Sequence, residues 1–273
     1  MNTVHGIRAT QPTRATFRAE LVKLLRRRVL VITAAVSAAF SLVAAAVVLA
    51  AAGGTPDPRR PGPTVQSLSD AGGGTEVFTT AASFAGTFLF VVFVGAIAAE
   101  FSRGTVRTML LRQPHRLRLL AGKVGALLAF AAGALALTEV LTWVAARVLA
   151  PGQDVATAGW TSFAALAQAA GDFGNVLLWV TGYAVLATAL AVVVRSVPVA
   201  LAIGIAWAGP LEHLVQEAWA PASRVFPGLL LEAFVAGGTP EVSAGRALAT
   251  VALYGAVAVT LAGALFSRRD VTA

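Results

Sequence analysis

Apolar residues gather along this chain into six long runs, at 29–52, 77–99, 124–146, 175–194, 197–219 and 247–266. A helix needs about 20 such residues to cross a bilayer, and each run is near or above that length. The first run carries no charge and ends at Gly53-Gly54. It is longer than a signal-peptide core of about 7 to 15 residues, so it reads as an uncleaved helix. The fifth is broken by Gly209-Pro210 and separated from the fourth by the turn Arg195-Ser196-Val197-Pro198. The pattern predicts an all-α integral membrane protein with six transmembrane helices. Residues 1–28 form a basic segment ahead of a single transmembrane domain over 29–273.

Between the runs, polar spacing predicts smaller elements. In the N-terminal segment Phe17, Leu21, Leu24 and Leu25 recur at i, i+4, i+7 and i+8, while Arg18, Glu20, Lys23, Arg26 and Arg27 occupy the other faces. This predicts an amphipathic helix lying in the membrane surface. It serves either as a topology-setting flank or as an interface helix that also touches a partner, with Phe17, Leu21, Lys23, Leu24 and Arg26 as contacts. Residues 53–76, rich in Gly, Pro, Ser and Asp, predict a flexible loop. Residues 160–170 predict a short outer helix, because Trp160, Phe163, Leu166 and Ala167 share helical spacing and Gly171 and Gly174 follow. Residues 227–236 are apolar but too short to cross, which predicts a re-entrant or interfacial outer helix.

Composition agrees with a membrane protein, since 57% of residues are hydrophobic and only 12% charged, against about 25% charged in soluble domains. The net charge of +8 is explained by topology. Sixteen Lys and Arg fall in 1–28, 100–123, Arg195 and the tail, and five fall on the opposite side. By the positive-inside bias both termini are expected in the cytoplasm. No aromatic or base-reading pattern accompanies the charge, which argues against nucleic acid. Cysteine is absent, so neither a disulfide nor a thiolate metal site can form.

The basic loop 100–123 holds the densest patterning. Glu100 ends the second span, Gly104 breaks it, and Thr105 is placed to cap a short helix through Arg107, Leu110 and Leu111 before Gln113-Pro114. The loop is either an ordinary positive-inside connection or an amphipathic element that docks in a groove of a soluble protein. The string EFSRGTVRTMLLRQPHRLRLLAGK, from Glu100 to Lys123, resembles the cytoplasmic loop of ATP-binding cassette (ABC) transporter permeases of the type-2 exporter class. The ending FSRRDVTA resembles that family's closing Arg-Arg-Asp. The resemblance implies a coupling helix between spans 2 and 3 that rests on a nucleotide-binding (ATPase) subunit. Its contacts fall on Glu100, Phe101, Arg103, Gly104, Thr105 and Arg107, with Leu110 and Leu111 beside them. It further implies two copies of that subunit, a second permease subunit of the same or a related chain, and a multi-pass place in a bacterial-type cytoplasmic membrane. ATP and magnesium would sit on the partner: the chain has no G-x-x-x-x-G-K-[ST] loop and carries no cofactor of its own.

Acidic residues within the apolar runs match no motif of that family. Glu139, Glu212, His213 and Glu217 either line an outer vestibule that favours cationic or amphipathic substrates, or meet interfacial water and helix ends. Two other functions stay open on the residues alone: an ion-coupled secondary transporter using Glu139 and Glu212, and a membrane anchor for a cytoplasmic complex. No catalytic constellation is visible.

Overall fold

The structure, a computed structural model, describes residues 12–54, 62–105, 111, 115–207 and 211–268. Among them no strand occurs, and one isolated antiparallel bridge joins Gly238 to Ser243. The helices are α1 (Pro12–Leu24), α2 (Arg27–Ala52), α3 (Val65–Ser69), α4 (Gly73–Ser102), α5 (Arg116–Leu149), α6 (Phe163–Val194), α7 (Val197–Ala206), α8 (Glu212–Ala218), α9 (Pro227–Val235) and α10 (Ala244–Arg268). Among the described residues four segments are long and apolar enough to cross a membrane: Arg27–Ala52, Arg116–Gln153, Phe163–Val194 and Ala244–Arg268. That gives the chain the character of a membrane protein. α4 is a further continuous helix of 30 residues.

Exposure runs against the soluble pattern. Val36, Val43 and Val47 on α2 and Leu253, Val257 and Leu261 on α10 point outward at 50–62% exposure. In water such faces would form an apolar patch of unusual size, whereas in lipid they need no partner. Inward, α2 presents Ser37, Ser41, Ala45, Val48 and Leu49 as a buried stripe at helical spacing. Thr138 Oγ1 donates to Ser37 Oγ at 3.0 Å, and Thr142 Oγ1 to Ser41 Oγ at 3.0 Å. Small residues thus let α2 and α5 approach closely, and their hydroxyls satisfy each other across the seam.

The core lies on α6. Val176, Trp179, Val180, Tyr183, Ala184, Ala187 and Ala191 of α6 pack with Phe78, Phe90, Phe93, Val94 and Ile97 of α4. Edge-to-face contacts join Trp179 to Tyr183 at 5.1 Å and Phe90 to Tyr183 at 5.6 Å, a geometry the ring quadrupoles favour.

Two expected elements take a different form. Part of the loop foreseen at 53–76 is helical: Thr64 caps α3 by accepting from the Ser67 N–H at 3.1 Å, and α4 begins at Gly73. The separate helix at 160–170 is not formed. Ala158–Thr161 is a 3-10 turn, and Ser162 caps α6 by accepting from the Ala165 N–H at 3.2 Å. α6 then runs unbroken past Gly171 and Gly174. A helical glycine costs about 1 kcal/mol. Inside a 32-residue apolar helix, where breaking would orphan backbone groups in a lipid setting, that cost is too small to end the helix. In the run 197–219, foreseen as broken at Gly209-Pro210, the described residues give two helices. α7 has ten residues, or about 15 Å, α8 has seven, and Gly209-Pro210 lies between them outside the described residues. The turn before α7 does separate two helices: Arg195 takes the left-handed conformation at φ 56° and stops α6. The short helix foreseen at 227–236 is α9, with Leu229, Leu230, Leu231 and Ala233 buried.

Candidate docking site at the loop end of the helices

Lys123 belongs by sequence to the loop's topology-setting basic residues, but it is 8% exposed, inside the first turns of α5. Its Nζ lies 3.1 Å from Glu20 Oε2 on α1 and forms a close ion pair with Glu100 Oε1 at the end of α4. Lys23 Nζ reaches the other Glu20 oxygen at 2.7 Å. Two carboxylates and two ammonium groups therefore balance, which a buried charge requires. Burial alone would raise the Glu20 carboxyl; hydrogen bonds and charge from Lys23 and Lys123 outweigh it and hold the group below the usual range. Glu20 is thus a carboxylate at neutral pH.

One glycine admits α1 to this place, and a second lies beside it. A Cβ on Gly122 would stand 2.8 Å from both the Thr13 carbonyl oxygen and Thr16 Cβ, and one on Gly125 would stand 3.5 Å from the Phe17 ring. The close seat also shifts which face of α1 is buried. Thr16 and Glu20 are buried, while Phe17, Leu21 and Leu24 are only half-buried at the margin. The buried face lies one position away from the apolar spacing, because that spacing carries no information about the charge waiting on α5. Arg26 is exposed, at the N-cap of α2.

Other helix ends collect around the same point. Ser102 Oγ donates to the Arg195 carbonyl at 3.4 Å and accepts from the Val197 N–H at 3.2 Å, which ties α4 to the turn between α6 and α7. Phe101 packs edge-to-face on Phe266 of α10 at 5.8 Å and lies under the Arg195 guanidinium at 5.6 Å. Arg116 at the start of α5 donates to the Phe266 carbonyl at 3.1 Å, satisfying an orphan group at the end of α10. Glu100 and Phe101 are therefore internal fasteners of the collar.

The outward residues are fewer. Arg103 is exposed at the C-cap of α4, and Gly104 follows at φ +66°, a conformation only glycine adopts freely. Thr105 Oγ1 donates back to the Glu100 carbonyl at 3.1 Å, and the residues it was expected to cap, 106–110, lie outside the described residues. Leu111 is 83% exposed, a large apolar side chain left uncovered by the described residues. Arg107 and Leu110 lie outside the described residues.

At the opposite end of the helices the expected vestibule resolves into separate places. Glu139, on α5, lines a cavity with Trp143, Trp160 and Phe173. Glu212 is 2% exposed and caps α9, its Oε2 accepting from the Leu229 N–H at 2.9 Å. His213 Nε2 sits 3.2 Å from Glu232 Oε2, and Glu217 is exposed on α8. Acidic residues in neighbouring runs fall on different packing surfaces, which run boundaries cannot reveal.

Sequence reasoning missed the Glu20–Lys123–Glu100 cluster. Its signals were present: one acid in a strongly basic segment, and a lysine set between two glycines inside an apolar stretch, LLAGKVGALL. The chain matches no family model and no curated protein.

Proposed function

We propose that this chain is the membrane-spanning subunit of an ABC exporter, driven by ATP hydrolysis on separate nucleotide-binding subunits that dock at the loop 100–123. Two such subunits, carrying ATP and magnesium, work with two membrane subunits, this chain and a second identical or related one. In this reading α4 and the α7–α8 segment complete six spans in a cytoplasmic membrane, with both termini on the side of the motor. The observation that carries the reading is the ion cluster. Lys123 holds the loop ends of α4 and α5 together through Glu100 and clasps α1 to them through Glu20. A push delivered at the loop therefore moves three helices as one body and is not lost in local bending. The exposed Leu111 supplies an apolar anchor of the kind a groove on a soluble partner takes up.

The test starts from what the chain lacks, since without a phosphate-binding loop any ATPase that travels with it belongs to a partner. The chain purified from its native membrane in mild detergent is expected to carry ATPase activity. Leu111→Asp is expected to lower the copurified activity at least about tenfold, the loss of one buried anchor of about 1.4 kcal/mol or more, with the amount of membrane-inserted chain unchanged. Gly104→Pro, which cannot adopt φ +66°, is expected to do the same. A wild-type preparation without ATPase, or full activity with both variants, would overturn the reading.

A further inference from the structure

The cavity at Glu139 holds about 910 Å³ and is bounded by α4, α5, α6 and the 3-10 turn before α6. Four aromatic rings stand in its otherwise mostly small-residue walls: Trp143, Trp160, Phe163 and Phe173. Trp160 is fixed there by its indole N–H, which donates to the Leu68 carbonyl at 2.9 Å. At its rim Phe163 is 85% and Leu166 68% exposed, so the cavity opens between apolar side chains. An apolar mouth admits a hydrophobic molecule.

Charge makes the place unusual. Glu139 Oε1 is fully buried and has no hydrogen-bond partner among the described residues. Asp172, on α6 beside the lining residue Phe173, acts on Glu139 as a like charge, and Glu76 on α4 feels Asp172 in the same way. An orphaned carboxylate oxygen inside an apolar helix is costly, and a second carboxylate nearby adds to the cost. A cation brought to Glu139 relieves both. The aromatic rings suit the same ligand, because ring faces attract positive charge, and Arg147 already lies over Trp143 at 5.4 Å from the ring centroid.

We propose that this cavity binds a hydrophobic organic cation, with the positive centre at Glu139 and the body against Trp143, Trp160 and Phe173. Its identification as the exported substrate rests on the permease reading above, whereas binding itself does not. A small inorganic ion would leave the aromatic rings unused. A neutral lipid chain would leave Glu139 without a partner.

The experiment uses two ions of nearly equal size and opposite charge, tetraphenylphosphonium and tetraphenylborate, on the full chain in lipid nanodiscs without any ATPase. Saturable binding above that of empty nanodiscs is expected for the phosphonium only. Glu139→Gln and Trp143→Ala are each expected to weaken it about tenfold or more, the size of a desolvated ion or cation–π contact. Glu217→Gln, on the exposed face of α8, is expected to leave it unchanged. Equal saturable binding of both ions, or phosphonium binding untouched by both cavity variants, would overturn the inference. Should Glu139→Gln fail to insert, Trp143→Ala decides alone. Cation binding by a chain that never carries ATPase would keep this inference and remove the permease reading; ATPase lost in Leu111→Asp without cation binding would do the reverse.

Discussion

Lys123→Met is expected to release α1 from the bundle. The variant keeps the length of the side chain but leaves Glu20 and Glu100 without the cation between them, at 8% exposure for Glu20. Breaking a buried ion pair by removing one partner costs about 3 to 5 kcal/mol, because the surviving charge stays desolvated. In hydrogen exchange this corresponds to a loss of protection of about a hundredfold or more for the α1 amides. Lys23 cannot compensate, since it bonds the other Glu20 oxygen and is itself half-exposed. Replacing the whole cluster, as Glu20→Gln, Lys123→Met and Glu100→Gln together, is expected to restore most of the protection, as neutral groups do in place of buried ions. Unchanged protection in the single variant would remove the cluster from its role as the clasp.

Gly228→Ala is expected to be the second large effect, at the other end of the molecule. A Cβ there would stand 2.4 Å from Glu212 Oε2 and 2.9 Å from the Tyr183 hydroxyl. Glu212 cannot yield cheaply, because its carboxylate satisfies the Leu229 N–H at the start of α9 and is 2% exposed. Overpacking of this kind costs about 1 to 3 kcal/mol, and expelling the cap adds to it. A lowered unfolding midpoint of the detergent-solubilised chain is the expected reading, with α9 losing exchange protection first. Wild-type stability in this variant would show that Glu212 is not the cap that holds α9 down.

Hydrophobic periodicity made the long helices legible, because a bilayer-length apolar run leaves the backbone one way to satisfy its hydrogen bonds. It also located α9, and the turn at Arg195 was legible from the break in apolar residues. The fate of individual residues depended on partners distant in sequence. Lys123 looked like part of a basic loop until α1 and α4 brought carboxylates to it. The loop sequence did not show that Thr105 would bond the Glu100 carbonyl or that Phe101 would pack on Phe266. For Glu139 and Glu212 the sequence allowed either a shared lining or separate helix ends; one borders a cavity and the other caps a helix. Gly171 and Gly174 looked like punctuation, but local preference of about 1 kcal/mol yields to a continuous apolar environment.

Whether an external motor bears on the loop is tested most directly by a single crosslinking site. The chain contains no cysteine, so Leu111→Cys gives one reactive thiol at an apolar loop position that is 83% exposed. In native membranes a short thiol-to-amine crosslinker at this position is expected to join the chain to a nucleotide-binding ATPase subunit, and the yield is expected to change when ATP is trapped on that subunit. A thiol at this position that couples only to lipid or to a second copy of the chain, with or without ATP, would contradict docking of the motor at this loop.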